Sequence, residues 1–405
     1  MIKGCISAPP SKSIAQRAIA MSFLSTGQSE IHNIGKSKDV LAALSLAKNL
    51  GAIIKEIENG VAIKGGLNPL TNHINAGESG LSLRIFSILS AIAGNNFIIT
   101  GEGTLLRRPI SMLENALYQG GVICNTNNGY LPMSFHGKLK SGNYHIDAAV
   151  TSQILTGLLI ALPCLDGDNT ISVKNLNSKP YIDITLEMLK VFGIKIKHVD
   201  YANFIIPGNQ KFKPVKYLVE GDWSGGAFWF VAGAIAGDIS ISGLNPHSLQ
   251  ADKVIFDALK CAGAEVSYDG HVYRVRKSKI NPFIFDATNC PDLIPILTLL
   301  GACANGTSII LGADRLQFKE SNRGIVLQQE FKKLNIKIDI ENGKMIVYGD
   351  RIRGGTIDVH HDHRIAMTFV IASLVSAEDI IINDTACVNK SYPEFFEHLN
   401  ALMRD

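Results

Sequence analysis

ENALYQGGVI, residues 114–123, decides the fold, because the chain carries its pattern five times. The segment reads as the end of an amphipathic helix, a glycine, and then a short alternating strand. LAKNLGAII (46–54), EMLKVFGIKI (187–196), DALKCAGAEV (257–266) and EFKKLNIKI (330–338) read the same way. Their pivots are Gly51, Gly121, Gly193, Gly263 and Asn335, spaced by 70, 72, 70 and 72 residues. Glycine and asparagine tolerate the left-handed conformation that ends a helix. A turn-rich hairpin follows, as in EIENGVAIKG (56–65), CNTNNGYLPMSF (124–135) and SYDGHVYRVR (267–276). FFEHLNAL (395–402) fits the last helix of a sixth copy.

Each unit also holds an earlier helix, with starts expected near Lys12, Gly80, Ser152, Ser224, Asp292 and His363. The later helices are expected to start near Lys38, Arg108, Lys179, Ser248, Lys319 and Lys390. The chain is therefore expected to be α/β, built from six repeats of strand, helix, strand, helix and hairpin. An open solenoid would bury a continuous core. It would need polar caps, and neither end offers an obvious one. Two closed groups of three repeats are the better expectation, with a boundary at KYLVEGDWSGG (216–226).

Composition narrows the function. Of 405 residues, 46% are hydrophobic and 19% charged, which excludes a disordered chain. The net charge of +3 excludes a global basic field, so no nucleic-acid partner is expected, and any anion site must come from local clustering. Apolar runs stay short of a membrane span, and the first residues do not read as a signal peptide. Seven cysteines at 5, 124, 164, 261, 290, 303 and 387 form no CxxC pair. Buried thiols in a cytoplasmic protein are the plain reading.

Local clustering is what the helix starts show. Helix N-termini carry unpaired N–H groups and attract anions. Cations in a first turn oppose helix stability, which points to a functional reason for them. Pro9-Pro10-Ser11-Lys12-Ser13 precedes Arg17, with Ser11 a plausible N-cap and Ser13 and Arg17 on one face. Lys319-Glu320-Ser321-Asn322-Arg323 is expected to place Lys319 and Arg323 on one helical face, with Glu320 beside Arg323. Two cations hold an anion there, and the carboxylate can move protons. Asp362-His363-Arg364 opens an apolar helix. His360, His361, Asp362 and His363 invite a metal reading, but neighbours on a strand point to opposite faces, and no metal is expected.

Together PPSKS with Arg17, RRP, TSQ, SKPYID, VEGD, PD, KES-x-R, DHR and NKSYP resemble the 5-enolpyruvylshikimate-3-phosphate synthase family, in the family's order along nearly the whole chain. The resemblance implies a two-domain enolpyruvyl-transferase-like fold with three repeats per domain. One domain would be discontinuous, residues 1–10 plus 221–405, and the other, 11–220, inserted. The active site would lie in the cleft between them. It implies transfer of the carboxyvinyl group of phosphoenolpyruvate to the 5-hydroxyl of shikimate-3-phosphate, without cofactor, by a cytoplasmic enzyme expected to be a monomer. Glyphosate is the implied competitor of phosphoenolpyruvate.

By the same resemblance Lys12, Ser13, Arg17, Thr151, Ser152, Gln153, Ser178, Tyr181, Asp292 and Lys319 would bind shikimate-3-phosphate. Phosphoenolpyruvate would be held by Lys12, Gly80, Arg108, Gln153, Arg323, His363, Arg364 and Lys390. Asp292, Glu320 and Lys12 would be catalytic. The charge balance agrees, since two substrates each with a phosphate and a carboxylate bring roughly five or six negative charges. Lys12, Arg17, Arg84, Arg108, Lys319, Arg323, Arg364 and Lys390 are the matching cations. One segment departs from the family's pattern: Glu78 stands for an amide and Leu81 for a hydroxyl residue, while Gly80 and Arg84 keep their places. Altered packing beside phosphoenolpyruvate, and an altered response to glyphosate, are the expectation. The related transferases that use UDP-N-acetylglucosamine typically carry a loop cysteine and lack KES-x-R. RNA 3′-phosphate cyclases use related repeats but lack these motifs. A non-catalytic anion binder would have little use for Asp292 and Glu320.

Overall fold

The computed structural model describes residues 1–404. In chain order the first copy contains β1 (Ile2–Ser7), α1 (Lys12–Phe23), β2 (Gln28–His32), α2 (Lys38–Asn49), β3 (Ile53–Ile57) and β4 (Gly60–Lys64). The second contains β5 (His73–Asn75), α3 (Gly80–Ala93), β6 (Phe97–Thr100), α4 (Ser111–Gln119), β7 (Ile123–Asn127) and β8 (Tyr130–His136). The third contains β9 (Asn143–Asp147), α5 (Gln153–Ala161), β10 (Asn169–Lys174), α6 (Lys179–Val191), β11 (Lys197–Val199) and β12 (Asn203–Ile206).

The fourth copy runs through β13 (Lys216–Leu218), α7 (Trp223–Ala236), β14 (Gly237–Ser242), α8 (Ile255–Cys261), β15 (Glu265–Tyr268) and β16 (Tyr273–Arg276). The fifth runs through β17 (Ile284–Asp286), α9 (Ile294–Ala302), β18 (Thr307–Leu311), α10 (Arg323–Lys333), β19 (Lys337–Glu341) and β20 (Lys344–Tyr348). The sixth has β21 (Gly355–Ile357), α11 (His363–Ala372), β22 (Ile380–Ile382) and α12 (Phe395–Met403).

Five sheets share one strand order, two parallel strands followed by the antiparallel hairpin, as in β5-β6-β8-β7 and β17-β18-β20-β19. The sixth sheet, β21-β22, has the parallel pair alone among the described residues. All five pivots sit at positive φ, from 68° at Asn335 to 115° at Gly51, as a left-handed helix end requires.

Strand exchange makes one half of the chain discontinuous. β1 does not pair with β2. It lies parallel to β14, while β13 takes the place beside β2. The chain accordingly forms two compact units, Met1–Pro9 with Glu220–Asp405, and Pro10–Val219. In each unit the earlier helices lie inside. α3 packs on both α1 and α5, and α7, α9 and α11 pack on one another. These helices are buried nearly all round, and every residue of α9 and α11 is buried.

Earlier helices begin within two residues of the expected places, whereas four later helices begin further on. α4 starts at Ser111, α8 at Ile255, α10 at Arg323 and α12 at Phe395, each after a 3₁₀ turn. Proline explains two of these. Arg108 and Tyr392 precede Pro109 and Pro393, and the residue before a proline is driven out of helical conformation.

Candidate active site

Interior helices direct their starts, with the charged residues beside them, to one place in each unit. Within the unit containing Glu220–Asp405, Asp292 is the hub. Its Oδ1 accepts hydrogen bonds from Arg323 Nη1 at 2.9 Å and Lys319 Nζ at 3.2 Å. Its Oδ2 accepts one from Arg364 Nη2 at 3.2 Å. Arg323 is 1% exposed and spans three carboxylates. Beyond Asp292 it donates from Nε and Nη2 to Asp362, at 2.8 and 3.1 Å, and from Nη2 to Glu320 Oε2 at 2.7 Å. Ser321 Oγ also donates to Asp362 at 3.0 Å. Three cations and three carboxylates thus form one network.

Its local cause is a set of helix caps. Asp362 is the N-cap of α11 and accepts from the Arg364 N–H, so the residue that fixes Arg323 also starts the helix bearing Arg364. Asn322 caps α10 through the Ile325 N–H. The cap places Lys319 and Glu320 in the turn before the helix, so Lys319 and Arg323 do not share a helical face. They converge through Asp292 instead. Glu320 stands beside Arg323, as the spacing predicts.

The electrostatics follow from this packing. Burial works to raise the Asp292 carboxyl, but Arg364, Lys319 and Arg323 outweigh it and hold the group well below the usual carboxylate range. Burial lowers the Lys319 ammonium, with Asp292 opposing. Burial also opposes the charge on Arg323 and Arg364, yet their carboxylate neighbours leave both raised. Asp292 is therefore held ionised by three cationic donors. His363 is 1% exposed at the first position of α11, and Lys390 is 3% exposed at the end of the 3₁₀ turn Thr385–Lys390. His360 and His361 form a turn rather than a strand, with φ of 52° and 57°, and they diverge. His361 pairs with Asp384, while His360 faces Glu330 at 4.0 Å.

The unit Pro10–Val219 has a second gathering. Lys12 begins α1, is partly exposed, and donates to Asp39 Oδ2 at 2.7 Å. Ser11 occupies the N-cap, but its side chain makes no capping bond. Arg17 is buried and uses three of its five donors on Ser13 O, Thr185 Oγ1 and Tyr181 O. Burial lowers its guanidinium to about 10. This network ties Ser13 and Tyr181 to one cation. Ser178 holds a left-handed conformation at the N-cap of α6, with φ 59°, a strained choice for a non-glycine residue.

Arg84 joins the starts of α3 and α5. Its Nη1 donates to Gly80 O at 2.9 Å and to Gln153 Oε1 at 3.0 Å. Thr151 Oγ1 accepts from the Gln153 N–H, and Ser152 is the N-cap residue without a side-chain capping bond. Gly80 is a close-approach position. A Cβ there would lie 2.7 Å from Arg108 Nη1 and 2.9 Å from Arg84 Nη1. Glu78 Oε2 accepts from Thr104 N and Oγ1, in the 3₁₀ turn that delivers Arg108. Leu81 points into the core of its unit. Glu78 therefore fixes the turn that leads to Arg108, while Leu81 packs in the core at the start of α3.

Sequence reasoning read Asp362 as part of a helix start but not as the partner of Arg323, and it missed Asp39 as the partner of Lys12. Asp362 had a signal, its place before an apolar helix. Asp39 had none, because its partner Lys12 lies 27 residues away.

A family model described as EPSP synthase (3-phosphoshikimate 1-carboxyvinyltransferase) matches residues 1–399. The chain is 38% identical over 405 residues to a 3-phosphoshikimate 1-carboxyvinyltransferase of Clostridium kluyveri, covering 99% of this chain and 95% of the relative. Identity to the protein of that name from Clostridium acetobutylicum is 39% over 412 residues, covering 100% and 96%. A solved EPSP synthase structure from Acinetobacter baumannii aligns with a TM-score of 0.83 at 25% identity, covering 99% of this chain and 96% of that one.

Proposed function

The chain belongs to the EPSP synthase family, and from that premise we propose which of its residues perform the reaction. The enzyme transfers the carboxyvinyl group of phosphoenolpyruvate to the 5-hydroxyl of shikimate-3-phosphate and releases phosphate, a step of the shikimate pathway. The observation that supports the assignment best is the Asp292–Arg323–Glu320 bridge, with one ionised base and one acid–base carboxyl on the same guanidinium.

In this reading Asp292 accepts the 5-hydroxyl proton as that oxygen attacks C2 of phosphoenolpyruvate. Glu320 protonates the methylene carbon, giving a tetrahedral intermediate, then removes a proton from the resulting methyl group as phosphate leaves. Lys12, Arg108, Gln153, Arg323, His363, Arg364 and Lys390 hold phosphoenolpyruvate, with Gly80 giving it close approach to backbone. Lys12, Ser13, Arg17, Thr151, Ser152, Gln153, Ser178, Tyr181, Asp292 and Lys319 hold shikimate-3-phosphate. Fixed cations stabilise the charge of the intermediate without reorganising. Anions that draw Arg364, Arg323 and Lys319 away from Asp292 also make it a stronger base. The enzyme acts as a cytoplasmic monomer, and glyphosate competes with phosphoenolpyruvate.

Phosphate release tests this. It is expected with phosphoenolpyruvate plus shikimate-3-phosphate, not with UDP-N-acetylglucosamine as acceptor, and glyphosate is expected to raise the KM for phosphoenolpyruvate alone. Release with the nucleotide sugar would overturn the acceptor assignment. Gly80→Ala gives a second test. Overpacking costs about 1–3 kcal/mol, so displacing the Arg108 guanidinium should raise the KM for phosphoenolpyruvate by about 5–150-fold. The KM for shikimate-3-phosphate should change far less, and equal effects on both would remove Gly80 from the phosphoenolpyruvate site.

A further inference from the structure

Asp252 is a buried carboxyl that the assigned chemistry does not use. It lies in the 3₁₀ turn Ala251–Val254 and is 2% exposed. Its Oδ2 accepts a hydrogen bond from Ser224 Oγ, in the first turn of α7. Its Oδ1 is buried without a hydrogen-bond partner. The N–H groups at the start of α7 offer no help, because Asp222 Oδ1 already accepts from Ser224 N at 2.8 Å and Gly225 N at 3.2 Å. Arg364 and Lys319 face Asp252, but both pair with Asp292.

An ionised carboxylate is costly in that setting. One hydroxyl donor cannot replace the water that burial removes, and the paired cations are spent on Asp292. Two carboxyls in one field do not both ionise cheaply, and the better-served one keeps the charge. We propose that Asp252 is a positioning residue, the un-ionised partner of Asp292, which by staying protonated at neutral pH leaves the charge of Arg364 and Lys319 to Asp292 and to the anionic substrates. This rests on the reading that places Asp292 and Arg364 at the reacting groups.

The titration behaviour supports it. Burial and the charge of Asp292 push Asp252 upward, Arg364 pulls it back, Asp222 adds to the rise and Lys319 opposes it, for a net result of about 8. Cys290 also faces Asp252, and burial pushes its thiol up, so it stays neutral throughout. Above that pH Asp252 ionises and competes for Arg364 and Lys319. An alkaline weakening of substrate binding follows.

Asp252→Asn mimics the un-ionised acid. The native state holds a proton that the unfolded chain loses at about pH 4, so wild-type stability falls between that pH and about 8. Asn has no such proton. The melting temperature of the variant minus that of wild type is therefore expected to rise steadily from pH 5 to pH 8. A difference that stays flat or falls would show a buried carboxylate and overturn the proposal. In catalysis, the ratio of the phosphoenolpyruvate KM at pH 9 to that at pH 7 is expected to be several-fold smaller in Asp252→Asn than in wild type. An identical ratio removes the link to Arg364, and a merely structural role would leave this pH profile unmoved. Should the variant fail to fold, wild-type enzyme labelled with [4-¹³C]aspartate decides: one carboxyl signal should titrate above pH 7, and none doing so overturns the proposal. Asp292→Asn, assayed alongside, isolates the premise. Near-normal turnover there removes Asp292 from the chemistry, and with it the catalytic half of the proposal, whatever the melting series gives.

Discussion

Glu320→Gln is expected to lower kcat by about 10²–10⁴-fold, the range that a positioned acid–base group supplies. The substitution keeps the size of the side chain and removes its ability to exchange a proton. Glu320 is 12% exposed and bonds Arg323 Nη2 at 2.7 Å, so the carboxyl is held in one place. An amide oxygen can still accept that bond. Arg323 keeps Asp292 and Asp362 as well, so the fold should survive with a small change in Tm. Both the protonation of the methylene carbon and the later loss of the methyl proton pass through this group. KM values for the two substrates should therefore move much less than kcat. A kcat within about tenfold of wild type, about 1.4 kcal/mol in barrier, would show that another group handles the carbon-bound proton.

The repeat was legible because its signals are local. A left-handed cap needs Gly or Asn, and five pivots at nearly constant spacing expose the period without any knowledge of packing. The interior helices were legible too, since a polar start leads into a mostly apolar stretch. Legibility ends where two distant segments set the geometry. Lys319, Glu320 and Arg323 were recognisable as a charged cluster, but their shared helix was not real. Asn322 caps α10, and Asp292, from the 3₁₀ turn that leads into α9, draws the cations together. Likewise, Arg17 reads as an anion-binder on one helix face with Ser13, and nothing nearby in sequence shows how deeply it is buried. In the fold, Thr185 and Tyr181 from α6 bury it. Burial of a charge is decided by the partner, and the partner lies 164 to 168 residues away.

Arg323→Met is expected to cost about 3–5 kcal/mol of stability, the usual penalty for leaving a buried carboxylate without its partner. The reason lies in the degree of burial. Asp362 is 0% exposed, and Arg323 serves it through a two-pronged fork. Methionine fills the volume but leaves Asp362 with Ser321 and the Arg364 N–H as donors. At roughly 2–4 °C per kcal/mol for a unit near 200 residues, the Tm should fall by about 6–20 °C. Arg323→Lys should recover only part of the loss, since an ammonium cannot fork. Two further results separate the ion network from simple packing. Carboxyls deprived of Arg323 take up protons more readily, so the deficit should shrink as the pH falls from 8 toward 5. Adding Asp362→Asn to Arg323→Met removes the stranded charge, and the double variant should be more stable than Arg323→Met alone. A pH-independent deficit with no rescue by Asp362→Asn would mean that shape, rather than charge, holds α10 and α11 together.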